Sequence, residues 1–287
     1  MFIYQPTNFE KYDNSEISFH YLRCKVCNSL FASRKIQNID LSDLYPNDYL
    51  TNVIEPFVSV KLIDFFYTLK SSILLVRYRK SKLVRILDFG CGDTKYLRAL
   101  ARFSKFEVVG YDPFISREQI NGVSFIKELD FLIQQPKFDL ILVNHVLEHV
   151  VDLKETLKLL LFLKSNLGKI IGVTPNPNHW MLKLSRNKWG YLHYPQHLRI
   201  ISKKGLRDIL ETMIDSNLEF ITKNNVVNTC WAYTFEHYCK EFFKRKSKGH
   251  WRYDKFVLIL FLPFNLIEKL WTSNLPSYTF EISLNEK

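Results

Sequence analysis

The sequence predicts an α/β domain of the Rossmann-like, doubly wound class, with a mostly parallel seven-stranded sheet whose last strand is antiparallel. Two observations support this fold class. First, short apolar runs alternate with amphipathic segments between residues 84 and 174, a pattern typical of βαβ units and a parallel sheet. Second, a glycine-rich turn directly follows the first of these runs, at the place where open α/β sheets bind their ligands.

The individual strands and helices follow from the spacing of the apolar residues. Strands are predicted where several apolar residues follow one another, and helices where apolar residues recur every three or four positions. The predicted strands are 84–89, 106–111, 123–126, 138–143, 169–173, 218–226 and 278–284, and the predicted helices between them are 96–103, 152–164 and 202–213. Asp152, with Glu155 three residues later, predicts the cap of the second helix, and Gly168 predicts its end.

Three segments divide the chain. Residues 1–52 form an irregular N-terminal extension, residues 53–80 a helical lead-in, and residues 81–287 the α/β domain. Inside this domain, residues 231–271 form a helical insert with a basic and then an apolar stretch. A long loop at 175–200 is rich in His, Trp and Tyr. Its aromatic side chains would either face a sugar ring or prenyl chain or close the small core of the loop itself.

Composition limits the classes of function. Hydrophobic residues make up 47% of the 287 residues, enough for a sizeable core, and five irregularly spaced cysteines do not suit a disulfide scaffold. The net charge of +11 suits an anionic partner such as a nucleic acid, a membrane surface or a phosphorylated substrate, or a merely solubilising surface. We find no signal peptide and no apolar run long enough to span a bilayer, so a cytoplasmic protein is expected.

The strongest motif lies at 86–94, with the sequence Ile-Leu-Asp-Phe-Gly-Cys-Gly-Asp-Thr. Gly90 and Gly92 allow a tight turn and a close approach of a ligand to the backbone. The helix that follows supplies free N–H donors. Asp112 comes 20 residues after Gly92, at the end of the next predicted strand, where an acidic residue accepts hydrogen bonds from ribose hydroxyls.

Two further residues of the motif distinguish between nucleotide ligands. Asp88 precedes the glycines, and its negative charge would attract a sulfonium or an amino group and repel a pyrophosphate. Thr94 stands where many dinucleotide-binding loops have a third glycine. Both features argue against a dehydrogenase and favour S-adenosylmethionine (SAM) over NAD.

These segments resemble the class I SAM-dependent methyltransferases, in the broad group that includes ubiquinone-type O-methyltransferases and bacterial sugar methyltransferases. The resemblance covers about residues 83–225. It rests on Leu-Asp-Phe-Gly-Cys-Gly at 87–92, Val-Gly-Tyr-Asp-Pro at 109–113, the segment 138–150 with its Glu-His pair, and Gln-His-Leu-Arg-Ile-Ile-Ser at 196–202. It implies that the protein is an enzyme with SAM as its cofactor.

The resemblance also assigns cofactor contacts residue by residue. Gly90 and Gly92 would lie beneath the methionine part of SAM, Asp88 would hold its amino group, and Asp112 would bind the ribose. The remaining two assignments are Glu128, which would flank the adenine, and Asn144, which would line the cofactor pocket.

Transfer of a methyl group from a sulfonium requires alignment of the acceptor and, for a hydroxyl acceptor, removal of a proton. We predict His197 as the base or the substrate-orienting residue, with His149 and Glu148 as further catalytic candidates. His145, Glu148 and His149 could instead bind a divalent metal, since some ubiquinone-type O-methyltransferases are metal-assisted. The alternative to both is a structural role, and our prediction contains no metal site.

The expected acceptor is a sugar hydroxyl in a surface glycan or a glycan precursor, an expectation that rests on the resemblance alone. One alternative is a ubiquinone-type O-methyltransferase of small molecules, for which Mg²⁺ dependence would be evidence. Another is a non-catalytic scaffold of the same fold that binds a membrane or a partner, for which failure to bind SAM would be evidence.

Two segments outside this resemblance suggest other ligands. Cys24 and Cys27 look like half of a zinc knuckle, but zinc normally needs four ligands, so the count argues against zinc. Residues 240–255 combine seven Lys and Arg residues with aromatics, and an apolar stretch follows. That combination suits peripheral contact with an anionic membrane, here its inner face, or a solvated turn beside a core helix. No nucleic-acid-binding module is recognisable, which argues against nucleic acid.

Overall fold

A computed structural model describes the structure of residues 3–4, 21–32, 57–78, 80, 84–92, 94–114, 123–193, 196–213, 218–225, 228–242 and 255–284. The main sheet consists of β4 (Val84–Phe89), β5 (Phe106–Tyr111), β6 (Ser124–Ile126), β7 (Phe138–Asn144), β8 (Lys164–Pro175), β10 (Leu218–Asn225) and β11 (Ser277–Leu284). A smaller sheet consists of β1 (Ile3–Tyr4), β2 (Tyr21–Arg23), β3 (Leu30–Ala32) and β9 (Arg199–Ile200).

The main sheet has seven strands in the order β10-β11-β8-β7-β4-β5-β6. The strands from β8 to β6 pair in parallel, and β11 runs antiparallel to both β8 and β10. The predicted fold class is therefore confirmed, including the antiparallel last strand. The strand order reverses direction between β4 and β7, and such a switch point opens a crevice at the carboxyl ends of the strands. We call this side of the sheet the carboxyl edge.

The helices are α1 (Phe57–Arg77), α2 (Lys95–Ala101), α3 (Leu129–Ile133), α4 (Leu153–Leu163), α5 (Trp180–Ser185), α6 (Lys203–Met213), α7 (Cys230–Phe242) and α8 (Lys255–Trp271). Alternate residues of a strand point to opposite faces of a sheet. Accordingly, Leu87 and Ile141 lie in one apolar cluster with α4 and α6, while Ile86 and Leu140 lie in another with α1 and α2. The result is a three-layer α/β/α arrangement that fixes the carboxyl edge.

The structure confirms the predicted start of α4 and, to within one residue, its predicted end at Lys164, but Gly168 does not terminate the helix. The backbone N–H of Glu155 donates to the Asp152 carboxylate at 3.0 Å, which caps the helix. The helix ends at Leu163, before Gly168, because the chain enters β8 at Lys164. Gly168 lies inside β8, where a Cβ atom would lie 2.7 Å from the Phe138 carbonyl oxygen, so glycine is needed for close strand approach.

The described part of the N-terminal extension joins the α/β domain. Strand β3 pairs antiparallel with β9, through Leu30 opposite Ile200. The same segment contributes Tyr21 and Leu30 to an apolar cluster that also contains Trp189 and Ile200. The predicted segment boundaries, at 52/53 and 80/81, adjoin residues outside the described part of the chain and stay predictions.

Candidate active site

The turn after β4 is shaped by two glycines at positive φ. Gly90 has φ +74° and Gly92 has φ +47°, a region that other residues adopt at a cost. A Cβ atom at Gly90 would lie only 2.5 Å from a methyl carbon of Val146. The Gly90 N–H donates to the Tyr111 carbonyl at 2.7 Å, which holds this turn against the end of β5. The glycines therefore allow a tight turn at the carboxyl edge that packs directly against Val146.

Asp112, directly after β5, forms a hydrogen bond to the glycine turn. One carboxylate oxygen accepts the Gly92 N–H at 3.0 Å, and the other accepts the Phe114 N–H at 2.9 Å. Burial raises the pKa of Asp112, although these two backbone hydrogen bonds partly offset that effect. Each oxygen keeps further acceptor capacity, so the carboxylate is oriented in advance and can still accept hydroxyl groups.

Asp88 is buried at the end of β4, near a cation that the sequence did not predict. The Lys70 ammonium group on α1 lies 4.2 Å from the centre of the Tyr96 ring. Burial lowers the pKa of Lys70, and the nearby Asp88 carboxylate partly offsets this shift. A partly solvent-exposed basic group therefore lies close enough to the buried Asp88 carboxylate to interact with its charge. Lys70 lies on the helical lead-in, outside every motif, so local sequence offered no signal for it.

The other two predicted cofactor residues lie farther along the carboxyl edge. Asn144 is the last residue of β7, the neighbour of β4 across the switch point, and it is partly buried. Glu128 is exposed, two residues after the end of β6, and precedes α3 without a side-chain hydrogen bond to its backbone. The structure therefore brings Asp88, Asp112 and the glycine turn together, with Asn144 on the adjacent strand and Glu128 at the rim.

The turn between β7 and α4 is organised around a fully buried carboxylate. Glu148 is 0% exposed, and its two oxygens lie 3.1 Å from His145 Nδ1 and 3.1 Å from the Thr174 hydroxyl, which donates. Burial by itself would raise the pKa of Glu148, but the hydrogen bond and charge of His145 outweigh it and lower this pKa. Glu148 is therefore an ionised carboxylate with both oxygens engaged.

The same turn holds the segment that carries His197. The Glu148 carbonyl accepts the Leu198 N–H at 2.8 Å, and His149 Nδ1 lies 2.9 Å from the Gln196 carbonyl. His197 Nδ1 in turn lies 2.8 Å from the Tyr191 carbonyl. A carbonyl can only accept, so both imidazoles carry their proton on Nδ1 and present Nε2 as an acceptor.

Three residues predicted as catalytic thus form one cluster. The rings of His149 and His197 are 4.7 Å apart, and one possible ligand atom from each of Glu148, His149 and His197 lies within 4.8 Å of the others. Burial lowers the pKa of both histidines, so they are neutral at physiological pH. We call them the His149–His197 pair. The negative charge of Asp112 partly offsets the lowering of the His149 pKa, so the pair interacts electrostatically with the residue next to the glycine turn.

The N-terminal extension forms hydrogen bonds to the backbone at His197 and Leu198. The Tyr21 hydroxyl donates to the His197 carbonyl at 2.7 Å, and both residues are buried. The Ala32 N–H donates to the Leu198 carbonyl at 2.9 Å. Tyr21 and His197 are 176 residues apart, so sequence reasoning missed this contact.

A family model described as a methyltransferase domain matches residues 61–213, more than half of the chain. The match contains the glycine turn, Asp112 and the His149–His197 pair. The chain belongs to the class I SAM-dependent methyltransferases. The predicted family, enzyme class and cofactor are thereby confirmed. A comparison with curated proteins finds no match.

Solved structures of similar proteins include methyltransferases and a related synthase. The plantazolicin methyltransferase BamL, in complex with a triazolic desmethylPZN analog and SAH, is 18% identical over 80% of this chain and 85% of that chain, with a TM-score of 0.46. A SAM-dependent methyltransferase from Archaeoglobus fulgidus is 20% identical over 76% and 94%, at 0.45. A cyclopropane-fatty-acyl-phospholipid synthase-like protein from Lactobacillus casei is 13% identical over 83% and 98%, at 0.49. At these scores none of them informs the choice of acceptor.

The residues of this methyltransferase fit SAM. The cofactor supplies a methyl group on a positively charged sulfonium, with an amino acid part and an adenosine part. Gly90 and Gly92 hold the turn after β4 at positive φ, with backbone that approaches its surroundings closely. Asp88 and Asp112 provide negative charge next to the glycine turn, and Lys70 provides a positive group close enough to Asp88 to affect its own pKa.

Cys24 and Cys27 lie in the turn between β2 and β3 of the methyltransferase. The Cys24 N–H donates to the Ser29 carbonyl at 2.8 Å, and a backbone hydrogen bond from Cys27 is the main reason that the pKa of Cys24 is lowered. Across the described ranges, the two thiols belong to no group of three metal-ligating residues. The Ser29 hydroxyl accepts the Ser202 N–H at 3.0 Å, so this turn attaches the extension to the start of α6.

The loop at 175–193 uses its aromatic residues mainly for its own core. Trp189 and Tyr191 are 0% and 3% exposed and pack in the same cluster as Tyr21. Trp189 and Tyr191 therefore close the small core of the loop and do not form an open aromatic surface for a sugar ring or prenyl chain. Tyr194, the last aromatic of the loop, lies outside the described residues.

We expect acid to destabilise this methyltransferase through its buried histidines. Burial lowers the pKa of His193 to about 3 and that of His197 well below its usual value. Below about pH 6.5 the unfolded chain therefore binds more protons than the folded one. As a result, the free energy of unfolding decreases as the pH is lowered. Each histidine contributes up to about 1.4 kcal/mol per pH unit. Urea titrations at several pH values measure this slope.

His193→Gln serves as the matched variant for the acid effect, because it removes one titrating ring and keeps an amide. As the pH is lowered, its free energy of unfolding should decrease less steeply than that of the wild type. An identical slope in both proteins, or a gain in stability below pH 6.5, would contradict the assignment of buried neutral histidines.

Proposed function

We propose that this methyltransferase transfers the methyl group of SAM to a sugar hydroxyl of a surface glycan or a glycan precursor. The observation that carries the hydroxyl acceptor is the His149–His197 pair, two neutral imidazoles whose Nδ1 atoms are engaged by backbone carbonyls and whose Nε2 atoms are left as acceptors. The sugar class is supported by the resemblance of segments 138–150 and 196–202 to bacterial sugar methyltransferases. No metal ion is needed for this proposal.

We propose that five residues bind SAM. Asp112 accepts the ribose hydroxyls with the lone pairs that its two backbone hydrogen bonds leave, and Asp88 receives the amino group of the methionine part. Lys70 pairs with the carboxylate of that part, because it is the basic group near Asp88. Asn144 lines the pocket, and Glu128 flanks the adenine at the rim.

His197 is proposed as the base. Its Nδ1 proton is held by the Tyr191 carbonyl, so Nε2 is the atom that takes the proton of the acceptor hydroxyl. The imidazole gains one positive charge as the sulfonium loses its own, so the net charge of the buried site does not change. This balance lets a histidine of lowered pKa act as a base, with His149 orienting the same hydroxyl through its own Nε2.

Glu148 is proposed as a positioning residue. Its carboxylate holds His145 and Thr174, and its carbonyl holds the backbone next to His197. Both oxygens are engaged, so proton transfer by Glu148 would require breaking these contacts. The positioning role also explains its complete burial.

An acceptor screen tests the proposed function. The full chain is incubated with SAM and, in separate reactions, with nucleotide sugars, lipid-linked oligosaccharides and catechol-type quinone precursors, and S-adenosylhomocysteine is measured. We expect turnover with a sugar acceptor, and mass spectrometry and NMR should place the new methyl group on oxygen. Turnover confined to catechols, or a methyl group found on carbon or nitrogen, would contradict the proposal.

A metal-assisted O-methyltransferase of the ubiquinone type is the second candidate. The observation in its favour is the Glu148, His149 and His197 cluster, since histidine ligands commonly donate Nδ1–H to a carbonyl and offer Nε2 to a metal. A metal there would polarise the acceptor hydroxyl in place of the His197 base. Loss of turnover on chelation, with recovery on addition of Mg²⁺ or Zn²⁺, would favour this candidate.

A further inference from the structure

In its described part, residues 263–271, helix α8 has its polar side turned inward and its apolar side turned outward. Asn265 and Glu268 are each 1% exposed. The large apolar residues of the same two turns are exposed by 49% at Phe264, 55% at Leu266, 52% at Ile267, 86% at Leu270 and 70% at Trp271. A surface helix of a globular domain normally has the opposite arrangement. Contiguous exposed apolar surface of this kind marks an interaction site.

The inward side is fixed by hydrogen bonds to a buried carboxylate. Glu268 accepts the indole N–H groups of Trp180 at 2.5 Å and Trp231 at 2.9 Å, and lies 2.6 Å from His179 Nε2. Asn265 donates to the Asn228 carbonyl at 3.0 Å. Rotation of α8 to bury its apolar side would leave these polar groups without partners, at a cost of several kcal/mol. The outward apolar face is therefore a fixed feature of the fold.

The basic residues on α8 and in the sequence before it favour an anionic partner. Lys269 is exposed between Ile267 and Leu270, and the segment at 240–255 that leads into the helix contains seven Lys and Arg residues. Among the helices that the structure describes, none is long and apolar enough to cross a bilayer. Exposed apolar and aromatic residues together with basic residues suit the surface of an anionic membrane.

We propose that the outward face of α8, defined by Phe264, Leu266, Ile267, Leu270 and Trp271, docks on the surface of an anionic lipid bilayer. The end of α8 leads into β11, whose first residue Ser277 pairs with Pro175 at the carboxyl end of β8. Docking therefore brings the carboxyl edge, with its active site, to the membrane. Such an orientation suits an acceptor on a lipid carrier, but the lipid contact itself does not depend on which acceptor is methylated.

Vesicle flotation tests this docking with the full chain. The probes are vesicles of phosphatidylcholine containing phosphatidylglycerol and vesicles of phosphatidylcholine alone. We expect binding to the anionic vesicles that weakens at high salt, and a loss of about tenfold or more in the partition coefficient for Ile267→Gln/Leu270→Gln, because two apolar side chains no longer enter the lipid interface.

Leu167→Gln is the matched control, since Leu167 is 84% exposed and lies near the start of β8, at the opposite edge of the sheet. It should bind vesicles as the wild type does, and circular dichroism should report the same fold in all variants. Absence of binding to anionic vesicles, or an equal loss for Leu167→Gln, would overturn the proposal. Light scattering that reports a dimer lost only in the α8 variant would overturn it in favour of a second copy of the chain.

Discussion

Replacement of His197 by glutamine should lower kcat by about 10²- to 10⁴-fold, the usual contribution of a general base. The Kd for SAM should stay near the wild-type value, because the proposed role of His197 is contact with the acceptor and not with SAM. The reason for the large effect is that Nε2 of His197 is aimed by a Tyr191 hydrogen bond and supported by Tyr21. Initial rates of S-adenosylhomocysteine formation, with SAM affinity measured by calorimetry, separate the two quantities.

His237→Gln is the matched control for this variant. His237 is also buried, and its Nδ1 also lies 2.9 Å from a backbone carbonyl, that of Lys188. It lies outside the proposed catalytic machinery, so its variant should keep most of the activity. If the two variants lost activity equally, the role of His197 would be that of a structural histidine.

Removal of the Asp112 carboxylate should have the largest effect on cofactor affinity. We expect Asp112→Ala to weaken SAM binding by about 1–3 kcal/mol, the range for loss of hydrogen bonds to a charged group. The carboxylate is fixed by the Gly92 and Phe114 N–H groups before any ligand arrives, so little ordering is needed on binding. Calorimetric titration with SAM measures the change, and Lys70→Met in the same titration tests the proposed carboxylate contact.

Asp139→Ala is the control for Asp112→Ala. Asp139 also accepts a backbone N–H, that of Arg85 at 3.0 Å, but near the start of β7, at the opposite edge of the sheet. Its variant should have altered stability and unchanged affinity for SAM. Equal affinities of the wild type and Asp112→Ala would contradict the ribose assignment.

Local patterns in the sequence were sufficient for the main sheet and for the positions of the glycine turn and Asp112 at its carboxyl edge. The apolar runs of β4, β5 and β7 identify buried strands, and the glycine turn and Asp112 are each tied to the end of a strand. The assignment of Gly168 as the residue that ends α4 was wrong, because glycine there serves close strand approach and not helix termination. A glycine alone does not distinguish these two uses.

Contacts between distant segments could not be predicted. The hydrogen bond from Tyr21 to His197 and the pairing of β3 with β9 join residues that have no shared local pattern. Lys70 was missed for the same reason. For α8 the sequence indicated an apolar helix, but amphipathicity alone would place its apolar side inward, whereas the hydrogen bonds of Glu268 determine the opposite orientation.

We propose that the glycine turn and the His149–His197 pair form one active site. A crystal structure of the protein with S-adenosylhomocysteine tests it most directly. We expect the ribose on Asp112, the methionine part above Gly90, and the sulfur atom facing Nε2 of His197 across a space that fits an acceptor hydroxyl. A sulfur atom that points away from the pair, or a ligand bound elsewhere, would contradict the account.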